Sequence, residues 1–275
     1  MTTSAIYDRA YFDRMREGDT LREGGRPSLY DEFLAVVADL PLQQMRVLDA
    51  GCGRGELAVM LRQAGAAEVV GVDFAPEAVQ RAKTHAREVL GDDDAVQIVQ
   101  GSLQDRDVLP AGGFDLVLMT DVVEHLPPVV LKDSLANIRS WMNPGATLLV
   151  HTFPTLGLHR LYNGVMRLAG RGSVVEHSNR IHCNVQTRRR LRRTLADAGF
   201  TCDRMWLQND FTRTSSVYQN IRSQRIQRLA KLAADDLLGS RIASGVLSAV
   251  GLQEFAKASI YCLCSRPGDA KAHSP

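Results

Sequence analysis

No run of about eighteen apolar residues occurs anywhere in the chain, so no segment reads as a membrane-spanning helix. A secretion signal is missing as well: residues 1–19 carry charges every few positions and have no apolar core. Neither sign of charge dominates. The formal net charge is +2 and the isoelectric point is near 8.3, a balance that does not by itself call for a nucleic acid or a membrane surface. Cysteine is scarce and unpaired in pattern. The five, Cys52, Cys183, Cys202, Cys262 and Cys264, are odd in number and lack the spacing of a zinc site. They read as reduced thiols, and the expectation is a soluble, cytoplasmic protein with no bound metal. Internal repeats are also absent.

With 275 residues, 45% hydrophobic and 23% charged, the chain has enough apolar material for one α/β domain. From residue 46 onward, short apolar runs alternate with helical patterns, the order of βαβ units in a parallel sheet covered on both faces. Strands are predicted at 46–50, 68–73, 96–100, 114–120, 146–153, 200–208 and 255–265, and helices at 56–64, 76–90, 129–142 and 188–198. Asn143-Pro144-Gly145 reads as a stop and turn after the third of these helices. Two helical segments, 155–184 and 214–251, fall outside the alternation and are the candidate substrate cover. The whole is expected to be a single domain over residues 1–266, with a small, polar and disordered tail at 267–275.

Val47-Leu48-Asp49-Ala50-Gly51-Cys52-Gly53-Arg54-Gly55 sets three glycines at alternate positions between an apolar strand and a helix, where side chains would keep a ligand off the backbone. A dinucleotide fingerprint needs its third glycine at position 56, which is Glu56, so a pyrophosphate cradle is disfavoured. Asp73 ends the next strand, where a carboxylate can accept hydrogen bonds from both hydroxyls of a ribose. A ligand-free strand-to-helix turn explains one such glycine easily, but not three together with the acid.

These residues, with Gly71-Val72-Asp73 and the stretch from Phe114-Asp115-Leu116 through Thr120-Asp121-Val122-Val123-Glu124-His125-Leu126, resemble the class I S-adenosylmethionine-dependent methyltransferases over roughly residues 30–210. The resemblance implies a Rossmann-like, seven-stranded, mostly parallel sheet and S-adenosylmethionine as cofactor. It implies a cofactor site of Asp49, Gly51, Cys52, Gly53, Gly55, Asp73, Phe74, Ser102, Leu103 and Thr120, with Asp49 and the glycine turn by the methionine part and Asp73 on the ribose. Two departures stand out. Where many relatives end the third strand in Gly-Asp, this chain has Gly101-Ser102-Leu103, leaving a hydroxyl and an apolar wall for the adenine; and Asp121 stands where a glutamate is common.

Methyl transfer needs an in-line nucleophile and, for a hydroxyl acceptor, a base. His182 is the first candidate, in the polar loop Glu176-His177-Ser178-Asn179-Arg180-Ile181-His182-Cys183-Asn184, with His177 and His151 behind it and Asp121 and Glu176 as carboxylates. Each has a structural alternative: His182 and Asn184 capping the next helix, and His151 buried within the sheet. His125 reads as a structural residue at the cleft mouth. A metal at Glu176, His177 and His182 is not expected, because no set of acids converges near the fourth strand.

Tyr7, Tyr11 and Phe12 resemble a lid over the cofactor, or else a simply docked helix. The arginines of residues 187–193 accompany the apolar stripe Leu191, Leu195 and Ala198, so they read as a solvated helix face. A second basic row, Arg222, Arg225, Arg228 and Lys231, suits an anionic substrate, RNA or a membrane surface, and 237–250 suits a packed lid or a homodimer contact. The leading expectation is methyl transfer to a small lipophilic or aromatic acceptor, on oxygen before carbon or nitrogen, with no nucleic-acid partner. An RNA or protein methyltransferase, or a protein that binds S-adenosylmethionine without transfer, remains the alternative.

Overall fold

The computed structural model describes residues 7, 9–14, 28–92, 95–110, 113–152, 163–164, 167–168, 170, 172–208 and 259–267. The apolar runs become strands β1 (Arg46–Ala50), β2 (Glu68–Asp73), β3 (Gln97–Gln100), β4 (Phe114–Thr120), β5 (Met142–Thr152), β6 (Thr201–Gln208) and β7 (Ser259–Ser265). They form one seven-stranded sheet in the order β3-β2-β1-β4-β5-β7-β6. All neighbouring pairs are parallel except those of β7, which runs antiparallel to β5 and β6. This is the sheet expected from the sequence. The order reverses between β1 and β4, and ligands of such sheets bind outside the carboxyl ends of the strands at that reversal.

The helices are α1 (Arg9–Arg14), α2 (Ser28–Val37), α3 (Glu56–Gln63), α4 (Pro76–Leu90), α5 (Pro128–Trp141), α6 (Gly172–Ile181) and α7 (Arg188–Asp197). Because strand side chains alternate, the sheet builds two cores. On one face Leu48, Val70, Val117, Met119, Leu148 and Cys262 pack against Leu131, Leu135 and Trp141 of α5 and Leu191 and Leu195 of α7. On the other, Val47, Val69, Leu116, Leu118, Leu149 and Tyr261 meet Phe33 of α2, Leu57 and Leu61 of α3 and Val79 and Ala82 of α4.

The structure corrects two local expectations. Asn143-Pro144-Gly145 is not a turn ahead of the fifth strand: α5 ends at Trp141, and the three residues lie inside β5 as a bulge. The β4–β5 register jumps there from Phe114↔Met142 to Leu116↔Thr147. Asn143 explains the bulge, since its side chain accepts from the Gly113 amide at 2.8 Å and donates to Asp115 Oδ1 at 2.8 Å. The supposed loop from Glu176 onward is helical as far as Ile181, in α6. Of the expected cover, 214–251 lies outside the described residues, with the basic row Arg222 to Lys231 and the suggested dimer contact. So do Phe153, residues 255–258 and the tail beyond Pro267.

Candidate active site at the carboxyl ends of β1, β2 and β4

The turn after β1 is stitched to β2: the Gly51 and Cys52 amides both donate to the Val72 carbonyl, at 2.8 and 3.0 Å. Gly51, Gly53 and Gly55 all take positive φ, at 85°, 53° and 81°. Their surroundings differ. A Cβ on Gly51 would lie 2.5 Å from Val122 Cγ2 and one on Gly55 would lie 2.9 Å from the Ala82 Cβ, whereas one on Gly53 would meet none of the described residues within 4 Å. Open space therefore borders the middle of the turn, and packed protein its ends.

Two carboxylates flank that space. Asp73, at the end of β2, accepts from the Gly53 amide through Oδ2 at 3.0 Å and from the Ala75 amide through Oδ1 at 2.9 Å. Its carboxyl is fixed in orientation while lone pairs remain for a ligand. Asp49 is only 2% exposed, and among the described residues its Oδ2 has no hydrogen-bond partner. Burial, then the charges of Asp73 and Glu56, push its pKa up to about 7. Burial likewise raises Asp73 to about 6, against the pull of the Ala75, Gly53 and Phe74 amides. Buried Glu56, noticed in the sequence chiefly for not being glycine, pairs with Arg54 at 2.7 Å. Buried Cys52 closes the turn from below and is raised well above the ordinary thiol range by burial.

At the expected adenine end, Ser102 is exposed and its hydroxyl oxygen accepts from the Gln104 amide at 3.2 Å. Leu103 has little exposed surface. It is buried in the core under α5, where Asn137 donates to its carbonyl at 2.9 Å. Thr120 is half-buried at the end of β4 and pairs with His151.

The histidines separate into two settings. His151 is fully buried, with Phe33 and Tyr261 at ring distances of 4.7 and 4.6 Å, and its Nδ1 is 3.0 Å from Asp121 Oδ1. It faces the α2 side of the sheet rather than an open crevice, so the buried alternative fits it, and Asp121 stands between it and the surface. Asp121 itself has φ 57°, a left-handed backbone uncommon outside glycine. His182, half-buried, packs against His125 with ring centroids 4.7 Å apart and the planes tilted by 48°. His125 is more central than the sequence suggested: its Nδ1 lies 3.1 Å from the Ile181 carbonyl and 3.2 Å from the Tyr7 hydroxyl. Neither His182 nor Asn184 caps α7; Thr187 does, accepting from the Arg190 amide. Asn184 pins the turn instead, its amide donating to the Glu124 carbonyl at 2.9 Å and its Oδ1 accepting from Arg190 at 2.8 Å. His177 lies on α6.

The N-terminal aromatics close this rim. Tyr7 packs edge-on against Phe74 at 5.3 Å and Tyr11 at 4.9 Å, and Phe12 is buried with Ala75 and Ala78. Burial, with Tyr11 next, raises the Tyr7 phenol above its usual range, so it stays a neutral hydroxyl beside His125.

A family model described as a methyltransferase domain matches residues 22–204. The chain belongs to this methyltransferase family. Among curated relatives of this methyltransferase, a ubiquinone biosynthesis O-methyltransferase from Xanthomonas campestris pv. campestris is 38% identical over 123 residues, covering 42% of this chain and 46% of the relative. The match thus spans about half the length of that protein. Two solved structures share the fold. Magnesium protoporphyrin IX methyltransferase from Synechocystis PCC 6803, with bound S-adenosylhomocysteine, has a TM-score of 0.56 at 21% identity, covering 87% of this chain and 82% of that one. Geranyl diphosphate C-methyltransferase from Streptomyces coelicolor A3(2) has a TM-score of 0.57 at 18% identity, covering 87% and 80%.

Beside the methyltransferase rim, the amino-terminal end of α5 and one side of α7 border a depression of about 670 Å³ lined by Arg189, Arg190, Arg193, Asn184, Leu131 and Asp197, among others. Arginines expected merely to be solvated thus line a concave surface. Among the described residues no helix is long and apolar enough to cross a membrane, and no group of histidines, cysteines and acids has metal-binding geometry.

Proposed function

We propose that this methyltransferase transfers the methyl group of S-adenosylmethionine to an oxygen of a small, lipophilic or aromatic acceptor. The observation that carries the cofactor reading is the buried Asp49 carboxylate, whose Oδ2 lacks a partner, beside the open space at Gly53. A buried carboxylate held by one backbone amide, that of Ala58, with its second oxygen unpaired among the described residues, is costly, and a cationic ligand offsets that cost. In this reading the glycine turn and Asp49 hold the methionine end, and Asp73, oriented by two amides, accepts from the ribose hydroxyls. Phe74 and Thr120 border the cofactor, and Ser102 offers its hydroxyl at the adenine end. S-adenosylmethionine would supply a methyl group already activated on a sulfonium.

What remains for the protein is to orient the acceptor, exclude water and take a proton. His182 is the proposed base, since an imidazole's ordinary pKa suits a hydroxyl proton near neutrality. His125 is a positioning residue: in the neutral ring the Nδ1–H donates to the Ile181 carbonyl, which fixes the ring against which His182 packs. His151 holds Asp121 from below. Tyr7, Tyr11 and Phe12 close the cofactor side against water. A lipophilic acceptor is supported by the name of the partial-length relative, a ubiquinone biosynthesis enzyme. Transfer to oxygen is supported by the name of the partial-length relative.

The test is incubation with labelled S-adenosylmethionine and a panel of phenols, catechols and long-chain alcohols, followed for S-adenosylhomocysteine. Product with phenolic or alcoholic acceptors supports the reading; methylation of hydrophilic acceptors alone would overturn the acceptor class. Cofactor binding without turnover on any acceptor would instead mark a protein that binds S-adenosylmethionine without transfer. His182→Ala is expected to lower kcat by 10²-fold or more, about the contribution of a general base, with calorimetric cofactor affinity unchanged.

A further inference from the structure

Three of the five cysteines meet on the face of the sheet opposite Asp49, where the proposed reaction has no use for them. Cys202 of β6 stands opposite Cys264 of β7, and Cys262, two residues along, projects from the same face because strand side chains alternate. A bulge between Cys202 and Arg204 interrupts the ladder, and the extra residue, Asp203, accepts from the Ser265 hydroxyl at 2.9 Å. At that bulge the Cys202 sulfur lies 2.8 Å from the Cys262 sulfur, and Cys262 lies 3.4 Å from Cys264. All three are free thiols.

From this cluster we propose a site of oxidative modification: a hydroperoxide converts Cys202 and Cys262 into a disulfide that ties β6 to β7. A disulfide bond is about 2.05 Å long, so Cys202 and Cys262 need to close by under about 1 Å. Cys262 and Cys264 are the weaker pair, because residues two apart on one strand have Cα atoms about 6.7 Å apart, near the limit a disulfide spans. Access is graded in the same direction. Cys202 is half-buried whereas Cys262 and Cys264 are fully buried, so an oxidant reaches Cys202 first.

The chemistry matches that order. Hydrogen bonds from Cys264 and Cys262 and the nearby Arg192 guanidinium bring the Cys202 thiol down to about 6, against the opposing effect of burial. Cys264 is raised, chiefly by its hydrogen bonds with Cys202 and Cys262, and stays protonated. A thiolate is the nucleophile toward peroxide. Cys202 thiolate attacks one peroxide oxygen, the O–O bond breaks, and Cys202 sulfenic acid forms with hydroxide leaving. Cys262 then loses its proton to that hydroxide, and its sulfur attacks Cys202 and expels a second hydroxide, which leaves as water with the remaining proton. Overall, two thiols are oxidised and one hydrogen peroxide is reduced to two waters.

The experiment treats the full chain with a small excess of hydrogen peroxide, blocks remaining thiols with N-ethylmaleimide under denaturing conditions, and maps the peptides before and after dithiothreitol. The expected result is loss of two titratable thiols, a dithiothreitol-sensitive Cys202–Cys262 link, and a rate that rises through pH 6 rather than pH 9. Cys202→Ser and Cys262→Ser are expected to abolish the link, and Cys264→Ser to keep it. Peroxide that leaves all thiols intact, oxidises Cys202 only to the sulfinic acid, or links Cys52 or Cys183 instead would overturn the proposal. Mapping the unsubstituted chain decides this even if a core serine variant folds poorly.

Discussion

Gly51, Gly53 and Gly55 share a left-handed backbone but not an environment, so alanine at each reads out a different property. Gly55→Ala presses a Cβ to 3.1 Å from the Ala82 backbone and strains φ, for a combined loss of about 2–4 kcal/mol of stability, measurable by urea unfolding. Gly53→Ala meets no atom of the described residues within 4 Å and is expected to cost only about 1 kcal/mol of fold stability while weakening S-adenosylmethionine binding in calorimetry at least tenfold. Equal destabilisation by the two would remove the argument that the ligand lies at Gly53. Asp49 sets a pH dependence. Its pKa rises from 3.8 to about 7 on folding, so the native state holds a proton the unfolded chain has lost between those values. Stability of the ligand-free protein is full below pH 3.8 on this account, falls as pH rises, and levels above pH 7. Asp49→Asn is expected to flatten that slope of melting temperature against pH, and cofactor affinity in the unsubstituted protein to fall as pH drops below 7.

At the scale of elements, α7 is anchored by Thr187, whose side chain accepts from the Arg190 amide. Thr187→Ala is expected to cost about 1 kcal/mol, and because Arg190 also holds Asn184, His182 turnover should fall with it while cofactor affinity stays. The five parallel strands, the glycine turn and Asp73 were legible because their determinants are local: an apolar run, a glycine where no Cβ fits, an acid at a strand end. What escaped the sequence depends on partners far along the chain. The bulge in β5 comes from Asn143 reaching Asp115 and Gly113, the core position of Leu103 from Asn137, and the central place of His125 from Tyr7 and Ile181. Residues 176–181 fell inside the helical cover segment 155–184 yet also read as a polar loop, because polar composition alone does not mark where a helix ends.

For the whole molecule, one face of the sheet packs against α2, α3 and α4 and the other against α5 and α7, the latter also holding the three thiols. β7, last in sequence, sits between β5 and β6 and contributes fully buried Ile260, Tyr261, Cys262 and Cys264. Truncation before residue 259 is expected to yield a chain that aggregates or fails to melt cooperatively, because it bares the facing edges of β5 and β6; a soluble, cooperatively melting product would contradict that role. The same insertion has a consequence for synthesis. A ribosome delivers β5 and β6 long before β7, so the nascent chain carries two unzipped strand edges until residue 265 has cleared the exit tunnel. The sheet is therefore sealed from its middle, and only once β7 has emerged, and that interval is where a chaperone has most to protect.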